Sequence, residues 1–264
     1  MPIIDEILFA GEDMLIHASF RTLRDYGGFS SPGIFCQALT EKAAPTQTIV
    51  MPAFTYSFVN RNKATVPYDR ENSRSVTGAV SEAFRNLSGV FRTSSPSHSF
   101  TIWGGASGVK ESNNPVSPLG QGSVPDILYK KGKLRIALVG CGFESLTMLH
   151  YFESLLQIPY LTTNCWNYMG VEPLTVSVGG TYPAIEVPGC SKGFRNFEDH
   201  LTGSGKLKSL AADFSLYLID PYMLMQEFRD FTDNDPLALL CGKGCLCCDS
   251  RRVRESQKLF KRRN

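Results

Sequence analysis

Three residues in one stretch of the sequence have the types and the spacing to move a proton. In the segment "GFESLTMLHYFESLL", Thr147, His150 and Glu153 are each three positions apart. Residues three apart on a helix are neighbours on its surface, so Glu153 could accept a hydrogen bond from one imidazole nitrogen and leave the other free. An imidazole titrates near neutral pH, which suits a general base. The alternative interpretation is a half-buried histidine among apolar neighbours, because this spacing is short and common.

The elements around these residues would place them at the end of a strand. The run "LRIALVGCG", residues 134–142, is apolar enough to be a strand buried on both faces, and the glycine-rich turn at its end leads into the helix. Ligands of open α/β sheets bind at the C-terminal ends of strands, where such turns lie. The turn is not a nucleotide-binding fingerprint, because its G-x-G lacks the third glycine.

The rest of the pattern predicts an α/β fold. Strands alternate with helices through most of the chain, for example the strand over residues 13–20 and the helix that begins near Ser31. Such alternation indicates a mixed, mostly parallel central sheet flanked by helices. We expect an α/β core over residues 1–170 and a more β-rich, partly helical C-terminal part over residues 171–264.

Composition and charge narrow the class of protein. The chain has 264 residues, of which 42% are hydrophobic and 20% are charged, which is typical of a globular protein and excludes a disordered one. No apolar run approaches the ~18 residues of a membrane span. The N-terminus is acidic, whereas a secretory signal begins with basic residues, so we expect a cytoplasmic protein.

The basic residues are concentrated in the last segment. "RRVRESQKLFKRRN" holds seven Lys and Arg and one Glu, which leaves 20 basic and 24 acidic residues in the remaining chain. A body with a net charge of −4 has no cationic face for nucleic acid, so we expect no nucleic-acid partner.

A cysteine cluster precedes the basic tail. Four thiols lie within eight residues, at Cys241, Cys245, Cys247 and Cys248. They could hold a structural zinc ion, but the C-x₃-C-x-C-C pattern differs from the paired C-x₂-C spacing of common tetrahedral sites. Free thiols are the alternative.

Six segments, in order, resemble the aminoglycoside 3-N-acetyltransferase family, also called antibiotic N-acetyltransferases. The resemblance covers roughly residues 8 to 195, and no single motif decides it. The segments are "LIHASF" at 15–20, "TIVMPAFTYSF" at 48–58, "TGAVSEAFR" at 77–85, "VFRTSSPSHSF" at 90–100, "PLGQGSVPDIL" at 118–128 and "LVGCGFESLTMLHYFE" at 138–153.

The resemblance implies a coenzyme A-dependent N-acyltransferase whose catalytic histidine is His150, with Glu153 and Thr147 beside it. Acetyl-CoA or another acyl-CoA would be the co-substrate. Two departures from the family pattern stand out. Ser95 occupies the place of the usual histidine before proline, and His98 follows three residues later. Leu161 follows "IPY" where many relatives have an arginine-bearing loop.

The same chemistry suggests a coenzyme site. Hydroxyls and backbone N–H groups could hold phosphates or the thioester carbonyl, and a guanidinium matches phosphate oxygens. The predicted coenzyme-binding residues are Ser19, Arg92, Thr93, Ser94, Gly122 and Ser123. A surface or inter-loop ion pair is the alternative for Arg92, and a helix N-cap is the alternative for Ser123.

Thr55 and Ser57 are predicted to line the acceptor site, because they follow the strand "TIVMPAF". His17 is interpreted as a core histidine, on the same strand face as Ser19.

Three functions follow. The first is N-acylation, most simply acetylation, of an amino sugar, preferably a nucleotide-linked one for surface polysaccharide; an aminoglycoside is the alternative acceptor. The second is a catalytically inactive member that binds coenzyme A or partners. The third is a serine hydrolase, which the absence of a G-x-S-x-G elbow disfavours. The sequence does not indicate an oligomeric state.

Overall fold

The computed structural model describes residues 2–8, 11–105, 109, 116–184 and 188–263, with side chains placed as far as residue 254. Residues 185–187 of the predicted β-rich segment, and the side chains of most of the basic tail, therefore lie outside the described part. In that part, no helix has the length and apolar character needed to cross a membrane.

In the described residues, nine strands form two sheets. They are β1 Asp13–Ala18, β2 Thr48–Pro52, β3 Phe58–Asn60, β4 Phe91–Arg92, β5 Phe100–Gly104, β6 Leu134–Val139, β7 Val171–Ser177, β8 Gly180–Pro183 and β9 Leu216–Ile219. The central sheet has the order β4-β5-β2-β1-β6-β9, and the small sheet has the order β3-β7-β8. In the central sheet β1 pairs in parallel with β2 and with β6.

The α-helices that the structure describes flank the central sheet. They are α1 Pro2–Ile7, α2 Phe20–Asp25, α3 Pro32–Lys42, α4 Ala79–Arg85, α5 Val124–Lys131, α6 Thr147–Leu155, α7 Phe194–Gly203, α8 Pro221–Asn234 and α9 Leu246–Arg263. Short 3₁₀ turns cover Phe143–Ser145, Pro159–Thr162 and Cys165–Met169. Helix α3 begins as the sequence predicts, because Ser31 accepts a hydrogen bond from the backbone N–H of Ile34 and Pro32 occupies the first turn.

The central strands are buried on both faces, as the sequence of β6 predicts. Leu15 and Ile136 belong to a hydrophobic cluster on one face of the sheet. Met14, Ile16 and Ala137 belong to a second cluster on the other face. Successive side chains of a strand point to opposite faces, so each strand contributes to both clusters. Burial of each large aliphatic side chain stabilises the fold by about 1.5–3 kcal/mol.

The α/β class with a mixed central sheet and flanking helices is confirmed, but less of the sheet is parallel than expected. Two of its five pairings are parallel, because β5, β4 and β9 all join in the antiparallel direction. The boundary between residues 170 and 171 stays a prediction. Strands from both sides of it pair with each other, since β9 extends the central sheet and β7 pairs with β3.

Candidate active site

A cavity of about 620 Å³ opens where the parallel strands end. Strands β1, β2 and β6 run in the same direction, so their C-terminal ends meet at one edge of the sheet. Ala18, Pro52 and Cys141, which lie at or just beyond these ends, line the cavity. The start of α6 closes the cavity, with Thr147 and His150 in its wall. The expected position of the cleft, at the end of β6, is confirmed.

His150 and Glu153 form a hydrogen-bonded pair on α6. His150 Nδ1 lies 2.6 Å from Glu153 Oε2, and the Glu153 side chain is only 2% exposed. The second carboxylate oxygen of Glu153 accepts a hydrogen bond from the Tyr160 hydroxyl. A carboxylate that accepts on both oxygens fixes the imidazole tautomer, with the proton on Nδ1. Nε2 is then the ring nitrogen available to the cavity.

The ring of His150 is also held from the side. Its centre lies 4.7 Å from that of Phe194, the first residue of α7. The side chain of His150 remains 11% exposed, towards a cavity that it helps to line. The imidazole is therefore fixed at one nitrogen and on one face while it stays accessible, which is the arrangement that a general base requires.

A buried arginine lies on the far side of Tyr160. The guanidinium carbon of Arg251, on α9, is 5.0 Å from the centre of the Tyr160 ring, and the residue is 1% exposed. Gly189 allows the approach, because a β-carbon at that position would overlap a terminal nitrogen of Arg251. Burial opposes the charge of Arg251, but the carboxylate of Glu153 and other nearby groups outweigh it and raise the pKa of the guanidinium. Arg251 thus supplies the positive charge that balances buried Glu153.

Three of the four histidines of the chain line the same cavity. His17 and His98 are almost fully buried, and Nε2 of His17 and Nδ1 of His98 have no hydrogen-bond partner among the residues that the structure describes. Burial lowers the pKa of each to about 3, and for His98 the nearby charge of His150 adds to the effect. Both rings are therefore neutral at pH 7. His17 is buried in the core, as interpreted from the sequence, but it also faces the cavity.

Aromatic side chains form much of the remaining wall. Phe54, Tyr56 and Trp166 line the cavity, and His98 packs edge-on against Phe54 and Tyr56. Tyr56 has a φ of 51°, which is rare for a residue with a large side chain and is typical of residues held in place at functional sites. Among the described lining residues Glu144 is the only carboxylate.

The family model for aminoglycoside 3-N-acetyltransferases matches residues 15–219. The chain belongs to the aminoglycoside 3-N-acetyltransferase family. This confirms the resemblance found in the motifs and, with it, the prediction of an N-acyltransferase that uses coenzyme A. Acetyl-CoA is thereby confirmed as the co-substrate.

Solved structures of similar proteins share the fold. The apoenzyme of the aminoglycoside acetyltransferase AAC(3)-IVa is 23% identical, with a TM-score of 0.72, and the match covers 95% of this chain and 94% of that chain. A binary complex of AAC-IIIb with CoASH is 17% identical, with a TM-score of 0.65 and coverage of 88% and 93%. The YokD protein from Bacillus subtilis is 19% identical, with a TM-score of 0.66 and coverage of 85% and 88%.

Arg92, predicted to bind the phosphates of coenzyme A, has a structural role in this acetyltransferase. Its side chain is buried and donates hydrogen bonds to Ser99 Oγ at 3.0 Å, to the carbonyl oxygen of Ala53 at 2.5 Å and to the carbonyl oxygen of Ser73. It also lies over the Tyr68 ring. Arg92 does not line the cavity, and these contacts use its donors to connect three loops. The role of Arg92 in phosphate binding stays a prediction, and the burial that argues against it is not visible in the sequence.

The other predicted coenzyme residues divide into two groups. Ser19 lines the cavity next to His17, as expected. Thr93 is buried, where its hydroxyl accepts a hydrogen bond from the N–H of Phe100. Ser94, Gly122 and Ser123 are not among the described lining residues of the cavity. Ser94 and Gly122 are exposed elsewhere on the surface. Ser123 is the N-cap of α5, which confirms the alternative interpretation.

The predicted acceptor residues flank the cavity without lining it. The Thr55 hydroxyl donates to the carbonyl oxygen of Pro96 at 2.6 Å, and Ser57 is buried. Their neighbours Phe54 and Tyr56 face the cavity instead. The sequence indicated the right segment at the sheet edge, but an irregular loop follows β2 there, so strand alternation does not say which side chains face inward.

Four cysteines form a cluster in the structure, and three of them are among the predicted four. The sulfur atoms of Cys241, Cys245 and Cys248 lie together with that of Cys190, all within 4.8 Å of one another. Cys247, included in the sequence prediction, points elsewhere, and its thiol donates to Cys165 at 2.7 Å. The sequence prediction missed Cys190 because it is 51 residues from Cys241 along the chain.

Proposed function

We propose that this chain transfers an acetyl group from acetyl-CoA to an amine of an aminoglycoside, with His150 as general base. The observation that carries the proposal is the His150–Glu153 pair in the wall of the cavity, with Nδ1 of the imidazole engaged and Nε2 accessible. Family membership supports the reaction class. Solved structures of AAC(3)-IVa in complex with a gentamicin and with apramycin are similar in fold, which supports the acceptor.

In the proposed reaction His150 carries one proton. Nε2 accepts it from the amine that attacks the thioester carbonyl, and the new C–N bond forms as the C–S bond breaks. The same proton then passes to the leaving sulfur, so a neutral amide and a free thiol result. Glu153 stabilises the imidazolium in between and holds the ring in position, and a base placed in this way contributes on the order of 10²–10⁴-fold.

The cavity has the size and the polar groups of a small-molecule site. A volume of about 620 Å³ is within the range of small-molecule sites. Nε2 of His17 and Nδ1 of His98 are buried polar atoms without a partner in the described part of the chain, and a bound molecule can satisfy them. We propose that Ser19 and Thr147 add hydroxyl groups to this wall, because both line the cavity beside the candidate base.

A nucleotide-linked amino sugar is the second candidate acceptor. Aminoglycosides carry several ammonium groups, and a site for them is expected to be rich in carboxylates. Among the described lining residues only Glu144 supplies a carboxylate, whereas three imidazoles and several aromatic rings line the same cavity. This wall suits an acceptor with a single amine and a stacking base.

The cytoplasmic location stays a prediction of the sequence.

Thiol release decides between these acceptors. The protein is mixed with acetyl-CoA and a panel of aminoglycosides with a free 3-amino group, nucleotide-linked amino sugars and simple amino sugars, and free thiol is read with a disulfide dye. Release with aminoglycosides, lost in the variant His150→Ala, supports the proposal. Release with nucleotide-linked sugars alone moves the acceptor to the second candidate. Release with no acceptor favours a catalytically inactive member and overturns the proposal.

A further inference from the structure

Four cysteine side chains meet at the edge of the larger hydrophobic cluster. Cys241 Sγ lies 3.8 Å from Cys190 Sγ and 3.5 Å from Cys248 Sγ, and Cys245 completes the group. In a tetrahedral zinc site with Zn–S bonds of ~2.3 Å, neighbouring sulfurs are about 3.8 Å apart. Two of the sulfur–sulfur distances thus match a tetrathiolate site, and all four sulfurs lie within 4.8 Å of one another.

The backbone brings the two distant parts of the cluster together. A β-carbon on Gly193 would overlap the carbonyl oxygen of Leu239 and would lie 2.6 Å from the backbone nitrogen of Cys241, so only glycine allows this contact. Asn196 Nδ2 also donates to the carbonyl oxygen of Ala238 at 2.7 Å. The loop that carries Cys190 is thus packed on the segment that ends in Cys241, whatever the thiols bind.

The chain order of the ligands agrees with a metal site once Cys247 is left out. Cys241, Cys245 and Cys248 then have the spacing C-x₃-C-x₂-C, and the pair Cys245 and Cys248 has the C-x₂-C spacing of common zinc sites. The loop between Cys241 and Cys245 folds back onto α9, because the N–H of Gly244 donates to Asp249 at 2.8 Å. Cys245 directly precedes α9 and Cys248 lies in its first turn, three residues further on.

The surroundings supply positive charge. Four thiolates and one Zn²⁺ have a net charge of about −2. A side-chain N–H of Arg252 donates to the carbonyl oxygen of Cys241, and Lys192 and Lys243 directly adjoin the ligating segments. Cations and N–H donors around the ligands are the usual outer shell that stabilises such a site.

We propose that Cys190, Cys241, Cys245 and Cys248 bind one Zn²⁺ that connects the wall of the cavity to helix α9. Each thiol gives up its proton to solvent as it binds, so loading releases four protons per metal ion. Cys190 lies between Gly189 and Ser191, which line the cavity, and Cys248 lies three residues before Arg251. The metal therefore stabilises the part of α9 that places Arg251 beside Tyr160. Its binding does not depend on which amine the enzyme acetylates.

Metal analysis of the full-length protein tests this inference. Protein purified under reducing conditions without added metal or chelator is expected to contain about one zinc per chain, by elemental mass spectrometry. The variant Cys245→Ser should retain less than about a tenth of it, because three thiolates hold zinc much more weakly. Cys247→Ser and Cys36→Ser are the matched controls and should retain the metal, since both thiols lie outside the cluster.

Cobalt provides a readout that does not depend on the variants. After the native metal is removed with a chelator, Co²⁺ added to the wild-type protein should produce thiolate-to-cobalt charge-transfer bands and the visible bands of tetrahedral Co²⁺. Absence of both zinc and these bands from the wild-type protein would overturn the inference. A disulfide between any two of the four cysteines, found by mass spectrometry under non-reducing conditions, would overturn it as well. The inference would also be overturned if the two variants Cys247→Ser and Cys245→Ser were folded and lost zinc to the same extent.

Discussion

The guanidinium of Arg251 lies 5.0 Å from the centre of the Tyr160 ring, and Tyr160 in turn donates its hydroxyl proton to Glu153. The candidate base is therefore the outer end of a chain of contacts, from His150 through Glu153 and Tyr160 to Arg251. Arg251 is outside residues 15–219, which the family model matches. Helix α9 thus supports the candidate base, although it lies C-terminal to the residues that the family model matches.

Arg251→Met should lower kcat about tenfold, within the range usual for outer-shell positioning residues, with little effect on the KM for acetyl-CoA. The substitution removes the charge that balances buried Glu153, the carboxylate that holds the His150 ring. Steady-state kinetics separates kcat from KM, and Arg251→Lys should recover part of the rate. An unchanged kcat in folded Arg251→Met would show that Arg251 only stabilises the fold.

His150→Ala should reduce kcat/KM by about 10²–10⁴-fold, because the amine loses its proton acceptor. Binding of coenzyme A, measured by calorimetry, should stay within a few-fold of wild type. The matched control is His200→Ala, since His200 is exposed on α7 and is not part of the described lining. If His150→Ala keeps most of its turnover while folded, another group is the base.

The sequence predicted the site where local spacing determines geometry. His150 and Glu153 are one helical turn apart, so their contact follows from the helix alone. The position of the cleft follows from a buried strand and its turn, since β1, β2 and β6 are parallel. The helical spacing and the strand followed by a turn are local features, whereas the parallel pairing of the three strands belongs to the tertiary fold.

What the sequence could not predict depends on burial and on contacts between distant segments. Arg92 looks like a phosphate ligand until the fold places it among loop carbonyls. Cys190 joins the thiol cluster, and Arg251 joins the candidate base, only through packing of segments far apart in the chain. The antiparallel direction of β9 could not be predicted either. Its residues have the apolar pattern of any buried strand, and that pattern does not depend on the direction of the neighbouring strand.

The free energy of unfolding should fall as the pH is lowered from 7 to 5. His17 and His98 are neutral in the folded protein because burial lowers the pKa of each to about 3, whereas in the unfolded chain they titrate near 6.5. The unfolded state therefore binds more protons between these values. The stability from keeping the two rings neutral is complete above pH 6.5 and decreases towards pH 3, by about 2 kcal/mol per histidine at pH 5.

Urea denaturation at both pH values measures this loss. The variant His98→Gln should show roughly half of it, because one of the two buried imidazoles is removed. His200→Gln is the control for a histidine outside the cavity and should behave like wild type. A loss that is unchanged in His98→Gln would mean that His98 does not contribute to the pH dependence.

Arg92→Met should destabilise the fold rather than weaken coenzyme binding. The substitution leaves buried carbonyl oxygens, such as that of Ala53, with fewer donors, which costs roughly 2–5 kcal/mol in the free energy of unfolding. The KM for acetyl-CoA should change by less than about threefold at a temperature where the variant is folded, because Arg92 is not in the cavity wall. Arg74→Met, at a side chain that is 86% exposed, is the matched control and should leave both quantities unchanged. A large increase in KM at unchanged stability would instead restore the phosphate role, and it would require the loop of Ser73 to open so that the guanidinium could reach a ligand.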